Sequence, residues 1–410
     1  MEGRKPWYAI SLLCALSLVV ILGLWYREVN VYHPNPQQLS TQADVDRALK
    51  ASAAGTPGRL TIPTGLFVLS FDFVKANEAN VTGYIWQRHR LDRLAEATDK
   101  SSPGKTRAGI LFPEQVGSSS TQLQEQYRRE QTDEAGQREV VIGWYFDVTV
   151  RQTFDYAKYP LDRQDVWLRL WPLDFDKDVV LVPDLGTYDK TGRGDRFGFD
   201  HDIVPGAWKI EDTFFSYKRK CYDTKFGIKD YQGQYNFPEL HFNITLSRLF
   251  ENAFVVALVP LISVLVLLFS VLVMATADRD KASMLGFNAS GAIGASSALL
   301  FVVMLAHVSL RKEFATVGLV YLEYFYLVSY VAVLAVSVNV YLFSVRHSSP
   351  LLDLLHRDDN LIPKLAFWPL VLMFLAIVTL IQFGPSDSGE RGAGDVAAAA
   401  LCKPVVKGKG

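Results

Sequence analysis

The chain has 410 residues, with 42 Lys and Arg against 43 Asp and Glu, for a formal net charge of −1. That balance excludes a basic nucleic-acid binder, whose affinity rests on excess cationic charge against phosphate. Charged residues make up 21% and hydrophobic ones 49%, against roughly 25% charged in an ordinary soluble protein, so parts of the chain have been cleared of charge. Its 3 cysteines, Cys14, Cys221 and Cys402, are too far apart for a disulfide framework or a CxxC metal site. No metal or cofactor is expected.

In chain order, the first charge-free window is Pro6–Tyr26. Its basic start (Arg4, Lys5) suits either a cleaved signal or a retained anchor. The apolar run is long for a signal, no small-residue cleavage site follows, and Trp7, Tyr8, Trp25 and Tyr26 form aromatic belts at both ends. A membrane anchor over 1–28 is the favoured reading, with the following domain outside the cell. Residues 29–58 read as a linker, with a short helix at Ala43–Ser52 beginning after Thr41.

From 59 to 249 the pattern changes to period two. Leu60–Phe73, Val81–Gln87, Glu139–Thr153, Val166–Leu170, Val179–Val182, Trp208–Tyr217 and Leu240–Leu246 are the expected strands. In the last, Leu240, Phe242, Ile244 and Leu246 share one face and His241, Asn243 and Thr245 the other, as in a half-buried sandwich strand. Ala95–Gly109 and Gly117–Gly136 read as polar loops, with Gln122–Glu130 helical at most. Four further charge-free windows follow and define a bundle over 250–383: Asn252–Ala277, Ala282–Leu310, Tyr324–Val345 and Leu365–Ser386. Each reaches the roughly 20 residues that a helix needs to cross a bilayer. Residues 384–410 form a Gly- and Ala-rich tail expected to be disordered. The expected fold class is therefore a membrane protein: an all-β sandwich, a four-helix transmembrane bundle, and an additional N-terminal anchor or signal helix.

The boundary residues sharpen this order. Tyr159-Pro160-Leu161-Asp162-Arg163-Gln164 lies in a turn between two strands, Arg248 ends the last strand, and Pro260 follows in the next helix. Together with Gly83-Tyr84-Ile85-Trp86-Gln87 and Val320-Tyr321-Leu322-Glu323, these residues resemble the pentameric ligand-gated ion channel (Cys-loop receptor) superfamily over Arg59–Phe383. Gln152 and Val166 stand where animal receptors carry the loop disulfide, and Arg346–Lys364 is a short link, so the resemblance is to the bacterial type. An anchor helix is an addition to that family's usual plan.

The resemblance implies a homopentamer in the cell membrane, a bacterial inner membrane, with the β-domain outside. A small extracellular ligand or protons would open a path for ions along the second bundle helix, about 291–311. Ala282–Leu310 differs from the other windows in holding Ser283, Asn288, Ser290, Ser296, Ser297, His307 and Ser309. Small polar residues also serve helix packing, so pore and packing readings both apply. Counting from Pro260 gives the lumen Ser283, Phe287, Ser290, Gly294, Ser297 and Phe301, with Asp280-Lys281 at the inner mouth. Counting back from Glu323, the preferred register, gives Ile293, Ser297, Leu300, Met304, His307 or Val308, and Arg311. There Leu300 and Met304 would form apolar rings, which gate by dewetting. Asp278 and Asp280 lean the selectivity toward cations, and Arg311 leans it the other way.

Ligand-binding candidates are the aromatics Phe112, Trp144, Tyr145, Trp171, Phe175, Tyr222, Tyr231 and Tyr235, which would hold an organic cation through ring quadrupoles or serve simply as core. Asp174, Asp176, Asp178, Asp184, Asp200 and Asp202 suit Ca²⁺, proton sensing or a solvated loop. Tyr159, Pro160, Asp162, Arg248 and Glu323 are the expected coupling residues, with Arg248 paired to Asp162. No GxSxG, HExxH or P-loop occurs, so no enzyme activity is expected. The alternative is a non-conducting membrane sensor or assembly protein of the same fold.

Overall fold

The computed structural model describes residues 5–51, 59–95, 105–117, 123–133, 135–203, 206–220, 222–229, 237–285, 288–314, 318–345 and 357–384. Two compact units emerge. One takes His33–Phe154 and Arg163–Ser247; the other takes Met1–Tyr32, Asp155–Asp162 and Arg248–Ser386.

The first unit is a sandwich-like pair of sheets. Its strands are β1 (Leu60–Lys75), β2 (Glu78–Arg90), β3 (Ile110–Leu111), β4 (Gln124–Thr132), β5 (Arg138–Arg151), β6 (Arg163–Pro172), β7 (Val179–Pro183), β8 (Trp208–Lys220) and β9 (Phe237–Arg248). One sheet has the order β4-β5-β2-β1-β7, with β1 and β7 parallel, and the other the order β3-β6-β9-β8. Alternate residues of β2 and β5, such as Val81, Ile85, Ile142 and Phe146, meet Leu168, Phe242 and Ile244 from the other sheet in one core. Gly83 is required where β1 bulges between Val68 and Ser70, because a Cβ there would stand 2.1 Å from the Phe67 carbonyl oxygen.

Three expectations change. Of Gln122–Glu130, allowed as helical, Gln122 lies outside the described residues, and Gln124 to Glu130 belong to strand β4, whose nine residues are all exposed. Its polar sequence hides the period, and the strand exists by pairing with β5, closed by the Asp133 turn, where the Asp133 amide donates to the Gln137 carbonyl at 2.9 Å and the Gln137 amide donates to the Asp133 carboxylate at 2.7 Å. The polar face of β9 is buried like the apolar one: the His241 ring lies tilted 5.1 Å from Trp167, and the Asn243 side-chain amide donates to the Phe214 carbonyl. The segment expected as a linker contributes to the core. Helix α2 (Gln42–Ala51) starts at Thr41, whose hydroxyl accepts from the Asp44 amide, as an N-cap does. Val45 on that helix is fully buried, and the Leu39 amide bonds to the Phe215 carbonyl at 2.8 Å.

The second unit is helical: α1 (Lys5–Asn30), α3 (Phe250–Ala253), α4 (Val259–Met274), α5 (Arg279–Leu285), α6 (Ala289–Glu313), α7 (Tyr321–Val345) and α8 (Arg357–Phe383). Among the described residues, five helical stretches are long and apolar enough to cross a membrane, including Trp7–Asn30. Pro260 causes no break, because it falls in the first turn of α4 behind a π-helical segment, Phe254–Leu258, where a missing amide hydrogen is tolerated. The charge-free window Ala282–Leu310 is not one helix. Helix α5 ends at Leu285, and α6 restarts with Asn288 as its N-cap, whose side chain accepts from the Gly291 amide.

Candidate functional site

In the sheet unit, Trp171 stands one residue before the end of β6, and the turn after it supplies Phe175. Tyr222 and Phe226 follow the end of β8. The four rings meet edge to face: Trp171 lies 5.4 Å from Tyr222 at 90° and 5.9 Å from Phe226 at 80°, and Phe175 lies 5.4 Å from Phe226 at 84°. Phe175 also tilts against Trp171 at 5.4 Å. Tyr231 and Tyr235 lie outside the described residues.

A charged floor lies under these rings. The Glu239 carboxylate accepts from the Trp171 indole at 2.8 Å and from the Tyr222 hydroxyl at 2.6 Å. The Arg169 guanidinium donates to Glu239 at 3.0 Å, to the Tyr222 oxygen at 2.7 Å, and to Glu114. Burial works against the Arg169 charge, yet Glu239 and Glu114 keep its pKa above the ordinary range. Burial first, and then the bond to Glu239, push the Tyr222 phenol upward, so it stays a donor. Two carboxylates against one guanidinium leave one formal negative charge beneath half-exposed aromatic faces. The Arg169 guanidinium itself lies 5.6 Å from the Trp171 ring centre.

Phe112 and Trp144 do not join this group. Both are core residues, Phe112 packing 5.3 Å from Phe146, and Trp144 also borders a separate cavity of about 510 Å³ with Arg107, Glu125 and Arg128. Tyr145 pairs with Tyr84 across the strands at 5.8 Å. Several acidic candidates prove to be ion-pair partners: Asp174 binds Arg107 and Lys177, Asp178 binds Arg59, and Asp184 binds Arg88. Burial raises the Asp174 pKa, but the bonds from Arg107 and Lys177 outweigh it and hold the carboxyl below its usual range. Among the described residues, no cluster of His, Cys, Asp and Glu could hold a metal.

In the helical unit, the Asp155–Asp162 loop sits on the segment joining α6 to α7. The Tyr321 amide donates to the Ala157 carbonyl at 2.8 Å and the Leu322 amide to the Tyr159 carbonyl at 3.1 Å. The rings of Tyr159 and Tyr156 pack on Phe314 at 4.6 and 5.0 Å. Tyr159 precedes Pro160 through a cis peptide bond. Arg248 Nε and Nη2 bind the two oxygens of Asp162 at 2.8 and 3.3 Å, and the guanidinium lies 4.7 Å from the Tyr159 ring centre. Glu323, also foreseen at this junction, is 1% exposed. It accepts from the Val320 amide at 2.8 Å, from Arg311 at 3.2 Å, and lies 3.5 Å from His307 Nε2.

Helix α6 presents two stripes. At about 100° per residue, Ile293, Ser297, Leu300 and Met304 share a narrow arc. Ile293 and Met304 are 36% and 44% exposed. Ala292, Ser296, Val303 and Leu310 form the buried stripe. His307 and Arg311 turn toward α7: His307 stacks on Tyr326 at 5.1 Å and contacts the Tyr330 hydroxyl at 3.2 Å, and Arg311 also donates to the Gly318 carbonyl. The alternative lumen set is divided, with Ser283 on α5, Ser290 to Phe301 on α6, and Phe287 outside the described residues.

Sequence reasoning missed Phe226, Glu239, Arg169 and Glu114. The lone signal for Glu239 and Arg169 is a charged residue on a strand that is otherwise apolar, which reads as solvated until the β6–β9 register sets Arg169 opposite His241, two positions from Glu239. No family model matches the chain, and no curated protein matches it either.

Proposed function

We propose that the chain is a subunit of a pentameric ligand-gated ion channel resembling the Cys-loop receptor superfamily, in which a ligand at the Trp171–Tyr222 aromatic group opens a path lined by α6. The observation that carries this reading is the loop between β5 and β6, which is seated on the α6–α7 link through Tyr159 and Phe314 and clamped by Arg248 to Asp162. A membrane anchor has no need of such a seat; a transmission element does. β9 bears Glu239 under the rings and Arg248 at the clamp, nine residues apart, or about 30 Å of strand. A ligand that displaces Tyr222 from Glu239 pulls on the strand that ends in the clamp. The clamp shifts the loop, and the loop shifts the top of α6.

Within α6, the arc of Ile293, Ser297, Leu300 and Met304 is the lumen stripe, and Leu300 with Met304 forms the dewetting gate. Asp278 and Asp280, ahead of α6, lean the path toward cations. An organic cation suits the rings and the negative floor, with protons the other candidate stimulus. The β-domain faces the outside of a bacterial inner membrane. Purified protein imaged by electron microscopy is expected to show five-fold symmetry. In planar bilayers it is expected to pass unitary currents on addition of quaternary ammonium compounds or on a pH step. Intact pentamers that stay silent under both would favour a non-conducting sensor, and particles without a central opening would remove the channel reading.

A further inference from the structure

Helix α1 is more than a tether. A helix that only anchors a domain meets lipid all round. In α1 the covered residues follow one helical stripe, through Ile10, Cys14, Ser17, Ile21, Leu24 and Glu28, spaced three and four apart as helix packing requires. The stripe lies along α8, and Ser17 and Ile21 are almost fully buried.

The last turn of α1 makes specific polar contacts with three separate elements. The Trp25 indole donates to the Tyr321 hydroxyl at 2.9 Å, and that buried hydroxyl lies 2.6 Å from Thr379 on α8. The Trp25 ring also packs on Phe250 at 5.4 Å and Phe325 at 6.2 Å. The Arg27 guanidinium bonds to the Phe383 carbonyl at the end of α8. Glu28 binds Lys158 at 2.7 Å, with side chains only 16% and 29% exposed. Lys158 belongs to the Asp155–Asp162 loop, and its ammonium also lies 5.3 Å from the Phe383 ring centre. A partly buried pair of this kind holds geometry better than an exposed one.

We infer that α1 is a retained fifth helix of the bundle, and that Trp25 and Glu28 are positioning residues that hold the Asp155–Asp162 loop and the start of α7 in register. Movement of that loop then has to work against α1, so the helix sets how readily the loop moves. The functional half of this inference rests on the channel reading; the structural half does not.

The test uses the full chain, extracted from the membrane. Its intact mass is expected to retain α1, and a mass lacking the first 28 or so residues would overturn the inference. Hydrogen exchange is then compared for the wild type, Glu28→Gln, Trp25→Phe and the charge-exchanged pair Glu28→Lys/Lys158→Glu. Both single variants are expected to speed exchange at the Tyr159 and Leu161 amides at least threefold, with strand β2 unchanged, and the exchanged pair to restore protection. Equal exchange in all four proteins would overturn it. In planar bilayers, with a pH step as the probe, Glu28→Gln is expected to move the midpoint of activation at least 0.5 pH unit, about threefold in proton concentration, with the exchanged pair returning toward wild type. A silent wild type with altered exchange would sink the channel reading and leave the positioning role of α1 standing. Currents with an unmoved midpoint would sink the functional half alone.

Discussion

Replacing Arg248 by methionine removes both bonds to an Asp162 side chain that has no solvent exposure, whereas Arg248 itself is 11% exposed. The two ends of the pair are therefore unequal. Losing the guanidinium removes the counter-ion that faces a carboxylate inside the protein, which costs about 3–5 kcal/mol. The guanidinium's contact with the Tyr159 ring adds about 0.5–1 kcal/mol. Asp162→Asn keeps an acceptor for Arg248 and leaves the cation close to water, so its cost is nearer 1–2 kcal/mol. The double variant Arg248→Met/Asp162→Asn has no buried charge and is expected to be more stable than Arg248→Met alone. Thermal unfolding in detergent, read by scanning fluorimetry, separates these cases. Arg248→Met is expected to lower the midpoint by roughly 10 °C and the double variant by clearly less. Arg248→Glu, which sets a second carboxylate beside Asp162, is expected to be the worst of the series and to abolish evoked currents while surface expression persists. A double variant as unstable as the two singles summed, or an Asp162→Asn as damaging as Arg248→Met, would refute the clamp.

Tyr222→Phe keeps the ring contacts to Trp171 and Phe226 but deletes the hydroxyl between Glu239 and Arg169. It is expected to cost about 1.5–3 kcal/mol in thermal stability, and an unchanged midpoint would remove that hydroxyl from the floor of the site. His89, 4% exposed, has its pKa pushed down to about 4 by burial and then by the Arg128 charge. Above pH 6.5 the imidazole is neutral both folded and unfolded; as pH falls below that, only the unfolded chain gains the proton. Stability is thus expected to fall by about 3 kcal/mol between pH 6.5 and 4 on this account. His89→Gln is expected to flatten the pH dependence of the unfolding midpoint, leaving the part due to His241, whose pKa is also lowered by burial and then by nearby Lys218. A slope equal to wild type would count against His89. Leu300→Ser is expected to raise current in the absence of any stimulus about tenfold or more by wetting the apolar ring; unchanged gating in bilayer recordings would count against this register of α6.

The residues of the aromatic group divide sharply in how far they could be read in advance. Trp171, Phe175 and Tyr222 are visible in the sequence as aromatics, but so are Phe112 and Trp144, which proved to be core. The distinction lies in which side of the sheet each ring takes, and β4, whose pairing covers one edge, has no hydrophobic pattern to announce it. Glu239 and Arg169 become partners only when β6 and β9 align. In sequence Asn288 reads only as a polar residue of one continuous window, and the structure makes it the N-cap at which α6 restarts.

By itself the sequence determined the membrane-crossing stretches, most of the strands and the chemistry of the Tyr159–Asp162 turn, because hydropathy, period two and turn propensity act between residues near in the chain. Tertiary structure alone decided that Glu28 meets Lys158, that Phe314 receives Tyr159, and that Glu323 gathers Arg311 and His307. Those contacts join elements far apart in sequence. They are fixed by strand register and by the stripe along which each helix packs, which the whole set of buried surfaces has to satisfy at once.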